Sequence, residues 1–172
     1  ISAQSWTDLN GNLWLFGGNN NNDALTFGIG FDSNANLWKF DIRLKQWATI
    51  KSNPQRAEGV YGSLGVPSPN NRPGARQWGL TWTGDDGRLW MFGGWGFAGG
   101  GGSLADLWVY NPADNIWTWM HGASRSNHPL ASGSAAATGP MPTYRERGAT
   151  WKDSEGNLWL FGGRLHIDGM RY

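Results

Sequence analysis

Short apolar and β-branched runs alternate along this chain with clusters of Gly, Asn, Asp and Pro, a pattern of strands and turns rather than helices. In the middle of the chain, runs at about 76–83, 88–93, 106–111 and 116–121 predict four strands. Gly84-Asp85-Asp86-Gly87 joins the first pair and Asn111-Pro112-Ala113-Asp114-Asn115 the last, supplying the positive or preset φ of tight antiparallel turns. Within 88–93, Leu89 and Met91 point to one face and Trp90 and Phe92 to the other. A sheet apolar on both faces has to be covered on both sides.

The pattern repeats. Leu13-Trp14-Leu15-Phe16-Gly17-Gly18 returns as Leu89-Trp90-Met91-Phe92-Gly93-Gly94 and as Leu158-Trp159-Leu160-Phe161-Gly162-Gly163, at offsets of 76 and 69 residues. Leu37-Trp38-Lys39-Phe40-Asp41 matches Leu107-Trp108-Val109-Tyr110-Asn111, and Trp47 matches Trp117, each 70 residues on. Arg76, Gly79, Trp82 and Gly87 match Arg145, Gly148, Trp151 and Gly156, and Trp6 and Gly11 carry the pattern into the first unit. The chain thus divides into a unit at 1–50, a connector at 51–75, a unit at 76–120, a connector at 121–144 and a partial third unit at 145–172. Repeated four-stranded antiparallel sheets, buried on both faces, predict an all-β fold of β-propeller blades.

That reading assigns structural roles. Trp14, Trp38, Trp47, Trp90, Trp108, Trp117 and Trp159 are expected in the core between blades. Residues 76–94 and 145–163 should form matching hairpins with Trp90 and Trp159 both buried. The pairs Gly17-Gly18, Gly93-Gly94 and Gly162-Gly163 let the backbone turn where a Cβ would clash. Arg76 and Arg145 are expected to bridge to carbonyls of the adjoining blade, the alternative being an anionic ligand near the channel. A propeller needs about 4–8 blades, and this chain opens Ile1-Ser2-Ala3-Gln4 with neither an initiator Met nor a signal peptide. It is read as a fragment of a longer chain, or as one of several chains in an assembly.

Composition removes several classes. There are 27 Gly in 172 residues, but no Gly-X-Y triplet runs through them, so the chain is not collagenous. Its 14 Lys+Arg against 13 Asp+Glu lack the basic excess of a nucleic-acid binder. No window approaches the ~18 apolar residues of a membrane span. Without Cys there is no disulfide framework, thiol nucleophile or thiolate metal site.

The unit resembles the kelch repeat, whose mark is an apolar strand ending in Gly-Gly, a spaced aromatic in strand three and a Trp in strand four. Gly59-Val60-Tyr61-Gly62, Arg72-Pro73-Gly74-Ala75-Arg76 and Trp117-Thr118-Trp119-Met120 are similar to the long-linker kelch repeats of large bacterial proteins with a galactose-oxidase-like propeller. The resemblance implies about two and a half kelch repeats of an incomplete propeller, with further kelch blades as partners. It also implies an enzyme alternative, since galactose oxidases hold copper on such a propeller with a Tyr crosslinked to a Cys. That crosslink is impossible within these Cys-free residues, and there is neither a Gly-x-Ser-x-Gly elbow nor a convincing carboxylate pair. No catalytic residue, metal ligand or cofactor is assigned.

Strand parity sends the long segments 19–35, 51–75, 95–105, 121–144 and 164–172 to one face and the tight turns to the other. The long-segment face has an excess of basic side chains and the turn face an excess of acidic ones. Long loops on a rigid scaffold commonly carry function. Trp95 and Phe97, in a Gly-rich loop, are candidates for stacking on a ligand. Arg147, Arg164 and His166 are candidates for polar or anionic contacts. Asn19-Asn20-Asn21-Asn22-Asp23 with Asp32 offers oxygen ligands, but not at the spacing of a calcium loop. The expected function is a non-enzymatic scaffold that binds a protein or glycan partner through its long-loop face, within a larger secreted or cell-surface protein. The alternatives are a segment of a carbohydrate-active or galactose-oxidase-like enzyme, and a structural subunit polymerising through open blade edges.

Overall fold

The three expected hairpins form, in one register. In a computed structural model that describes residues 2–19, 33–127 and 142–164, Trp6 stands opposite Trp14, Trp82 opposite Trp90, and Trp151 opposite Trp159. Sheet one has the order β1 (Gln4–Thr7), β2 (Leu13–Phe16), β3 (Leu37–Asp41), β4 (Gln46–Lys51). Sheet two contains β5 (Arg76–Gln77), β6 (Leu80–Thr83), β7 (Leu89–Phe97), β8 (Gly101–Asn111) and β9 (Ile116–Gly122). There β5 and β6 lie end to end along β7, followed by β8 and β9. Sheet three is the hairpin β10 (Ala149–Lys152) and β11 (Leu158–Phe161). All pairing between these strands is antiparallel, and the described residues contain no helix and no closed barrel.

The first turns of sheets one and three share a device. Asp8 accepts from the Asn10 and Asn12 amides and from the Trp14 indole at 2.9 Å. Asp153 does the same for Glu155, Asn157 and the Trp159 indole. These bonds hold the Asp153 carboxyl down at about 2, the indole contributing most.

The sheets pack face on face through two joints with the same bonds. Between sheets one and two, Trp6 Nε1 donates to Trp90 O (2.8 Å), Thr81 Oγ1 to Ser5 O (2.9 Å) and Gly18 N to Arg76 O (2.8 Å). Between sheets two and three, Trp82 Nε1 donates to Trp159 O (2.9 Å), Thr150 Oγ1 to Thr81 O (3.1 Å) and Gly94 N to Arg145 O (2.9 Å). Every partner is the repeat equivalent of its counterpart. The arrangement is compatible with a propeller-like fold.

The joints also explain the glycines. A Cβ on Gly17 would stand 2.3 Å from Arg76 O, and one on Gly93 2.6 Å from Arg145 O, so the carbonyl of the next sheet leaves no room for a side chain. Gly162, third in the series, has nothing within 4 Å of that position.

Two expectations about the core are corrected. Trp14, Trp108 and Trp117 are buried and Trp90 is half-buried, but Trp38, Trp47 and Trp159 are exposed. The reason is the same in each case. Among the described residues, no sheet covers the face of sheet one that carries Trp38 and Trp47, or the face of sheet three that carries Trp159. The stretch 95–105 is not a loop either: it belongs to β7 and β8, paired from Gly94↔Leu104 to Phe97↔Gly101 around a tight turn. The connector 51–75 lies against sheet two, bridged at Ser68↔Trp117, with Gly65 N donating to Trp119 O at 2.8 Å.

Candidate functional site

Strand one of sheet two breaks into β5 and β6 because Trp78 and Gly79 bulge out opposite Gly93 and Gly94; the pairs Gln77↔Trp95 and Leu80↔Phe92 flank the interruption. Trp78 takes a φ of 61°, and its repeat equivalents Ser2 and Arg147 take 65° and 59°. A non-glycine residue in this left-handed region costs on the order of 1–3 kcal/mol, and such strain tends to collect at functional sites. Here it is held by bonds from sheet to sheet: Trp78 N donates to Ser2 O (3.1 Å) and Arg147 N to Trp78 O (3.3 Å).

On one side of this bulge lies a buried ionic network. Arg76 is fully buried and forms a fork with Asp106, Nη1 to Oδ1 at 2.7 Å and Nη2 to Oδ2 at 2.8 Å. Its other N–H groups reach Gly74 O and Gly93 O. Asp106 also accepts from the Tyr61 hydroxyl and the Trp108 indole, both at 2.7 Å. Burial pushes the Asp106 carboxyl up, but Arg76 and these hydrogen bonds outweigh it and hold the group below its usual range. Burial, reinforced by the Asp106 charge, pushes the Tyr61 hydroxyl well above its own. Because every partner is satisfied, the network reads as structural. Arg76 binds within its own sheet and to the connector that leads into it, not to carbonyls of an adjoining sheet as expected.

On the other side the equivalent groups are open. Arg145 donates to Gly162 O at 3.0 Å, as Arg76 does to Gly93 O, but has no carboxylate among the described residues. It too bonds within its own sheet. Arg147 is exposed, with its guanidinium carbon 4.1 Å from the centre of the Trp78 ring. Glu146 is buried; Oε1 accepts from Arg164 Nε (2.8 Å) and Nη2 (2.7 Å), and Oε2 has no partner among the described residues.

The candidate residues therefore separate. Arg147 and Arg164 lie at the surface on neighbouring strand ends, joined through the bridge Glu146↔Arg164. Trp95 and Phe97 are in β7, 5% and 9% exposed, with their rings edge to face at 6.0 Å, and offer no open stacking face. His166, Asp23 and Asp32 lie outside the described residues. Glu146 was not among the binding candidates, and Arg145 was one only as the alternative to a bridge between blades; the signal that pairs Trp78 with Arg147 is that 78 and 147 are repeat equivalents. Among the described residues no three His, Asp or Glu side chains gather to hold a metal ion, and no helix is long and apolar enough to cross a membrane. In comparisons with known proteins, no family model and no curated protein matches this chain.

Proposed function

We propose that the chain is a run of kelch-type propeller blades acting as a non-enzymatic scaffold, and that its connector face binds a carboxylate-bearing glycan. The observation that carries this reading is the Arg147 guanidinium held over the Trp78 ring, 4.1 Å from its centre, at two strained, sheet-linked positions. A guanidinium held this way loses little freedom when its N–H edges grip a carboxylate, and Arg145, two residues away, adds a second positive charge with no carboxylate partner among the described residues. The blade reading is supported by the two joints built from equivalent bonds. A place in a larger secreted or surface protein agrees with a glycan partner.

The test is calorimetry of the 172-residue chain with a soluble polyuronate and with a neutral polysaccharide. The polyuronate should bind, and more weakly as salt rises, because exposed charges are screened beyond ~8 Å at physiological salt. Arg147→Ala should weaken it about tenfold or more, as loss of a hydrogen bond to a charged group does, with the melting temperature almost unchanged. Equal binding of the neutral polymer, or no effect of Arg147→Ala, would sink the assignment.

A further inference from the structure

Among the described residues, sheet two is covered on both faces and sheets one and three on one face each. The two uncovered faces are of opposite kinds. That of sheet one carries Leu13, Trp38, Phe40 and Trp47; their equivalents in sheet two, Leu89, Trp108, Tyr110 and Trp117, are buried in the joint with sheet one. That of sheet three carries Trp151, Trp159 and Phe161, all exposed. Their equivalents in sheet one, Trp6, Trp14 and Phe16, are the side chains that cover sheet two: Trp14 packs on Tyr110 at 5.7 Å and Phe16 on Trp117 at 5.4 Å. One molecule thus displays both the receiving and the inserting surface of a contact it already makes internally.

We propose that the open face of sheet three binds the open face of sheet one of a second copy, head to tail, in the register of the two internal joints. In that register Trp159 packs on Phe40 of the second copy and Phe161 on its Trp47. Trp151 Nε1, which has no acceptor among the described residues, donates to Trp14 O, as Trp6 and Trp82 donate to the equivalent carbonyls. Ser5 Oγ of the second copy donates to Thr150 O, as Thr81 and Thr150 do in their joints. Pairing like faces would make none of these bonds. The contact is heterologous, so copies add until rotation closes a ring or a filament grows. The inference rests on the internal joints and is independent of the glycan proposed for Arg147.

Sedimentation of the chain over a range of concentrations tests it, with Trp47→Asp breaking the receiving face and Phe161→Asp the inserting face. The wild type should exceed the monomer mass increasingly with concentration, without weakening as salt rises. Each variant alone should stay monomeric, and an equimolar mixture should stop at one dimer, because only one intact pair of faces remains. Trp38→Lys and Trp151→Lys form a second pair with the same expected masses, and far-UV dichroism checks that each chain is folded. A wild type monomeric at every concentration, or a single-face variant that still associates alone, would overturn the proposal.

Discussion

Trp117 and Trp47 occupy the same place in two sheets built from the same repeat, yet Trp117 is 1% exposed and Trp47 49%. Phe16 and Phe161 make the complementary contrast, 1% against 72%. In each pair the local strand is alike and the difference is the neighbouring sheet. A residue's burial in this chain is therefore a property of a joint, not of the strand that carries it. Sheet two, with a joint on either side, is the standard against which the open sheets are measured.

The largest effects should come from side chains that a joint or the connector seals. Trp108→Ala removes a fully buried aromatic that also donates to Asp106, and should cost about 3–5 kcal/mol. Trp38→Ala, the same change on the open face of sheet one, should stay within ~0.5 kcal/mol at concentrations where the chain is monomeric, as surface changes do. Denaturant midpoints of the two variants measure the contrast, and equal losses would contradict it. Arg76 and Arg145 supply a second pair. Arg76→Ala strands the buried Asp106 charge and should cost about 3–5 kcal/mol. Arg145→Ala removes one bond to Gly162 O and should cost about 1 kcal/mol. If the two losses match, the open guanidinium of Arg145 holds more than its described partner.

The sealed network also sets a pH dependence with an acid and an alkaline limb. Asp106 has a folded pKa below its unfolded value of ~3.9, so its stabilisation is fully present above that pH and is lost as pH falls through the folded pKa. Tyr61 is shifted the other way: its hydroxyl stays neutral when folded, so stability falls once pH passes the unfolded value of ~10. Unfolding free energy against pH should thus decline at both ends, and Tyr61→Phe should shrink the alkaline decline. Tyr110 is also raised by burial, so some of that decline should survive the substitution. Carbon NMR should find Asp153, on open sheet three, titrating at about 2 while the chain is still folded. An unchanged alkaline limb in Tyr61→Phe would remove Tyr61 from the linkage.

The hairpins, their register and the Gly-Gly positions are legible in the sequence because they depend on local pattern: period-two alternation, turn residues and a repeat that reports itself. Trp38, Trp47 and Trp159 escape that logic because the repeat identifies equivalent strands and says nothing about whether a neighbour is present. Glycine-rich composition alone points to a loop around Trp95 and Phe97, with five glycines from 96 to 102. In the fold those glycines instead let β7 and β8 run past the bulge at Gly93-Gly94 into a tight turn. The Arg76–Asp106 fork is half visible, since Arg76 recurs as Arg145. Its partner does not recur, because Asn36 holds the place of Asp106 in the first unit.

The smallest predicted effect uses the one first turn that departs from the others. Gly84 stands where sheets one and three have Asp8 and Asp153, so the indole of Trp90 lacks the carboxylate that Trp14 and Trp159 bind. Gly84 has no left-handed φ to oppose a side chain. A Cβ there would come 2.6 Å from Asp86 Oδ1 and 3.2 Å from Trp90 Nε1, so the flexible Asp86 carboxylate has to swing away and the indole has to withdraw slightly. Gly84→Asp should stabilise by about 1 kcal/mol, through a net hydrogen bond and a less free unfolded chain, raising the melting temperature by about 2–4 °C. Gly84→Ala takes the chain contribution but displaces Asp86 Oδ1 from the Arg88 amide with no carboxylate to replace it, so the difference between the two variants reports what the new carboxylate supplies. If Asp is no better than Ala, the Asp–indole bond in the other two turns is a consequence of their geometry and not a support for it.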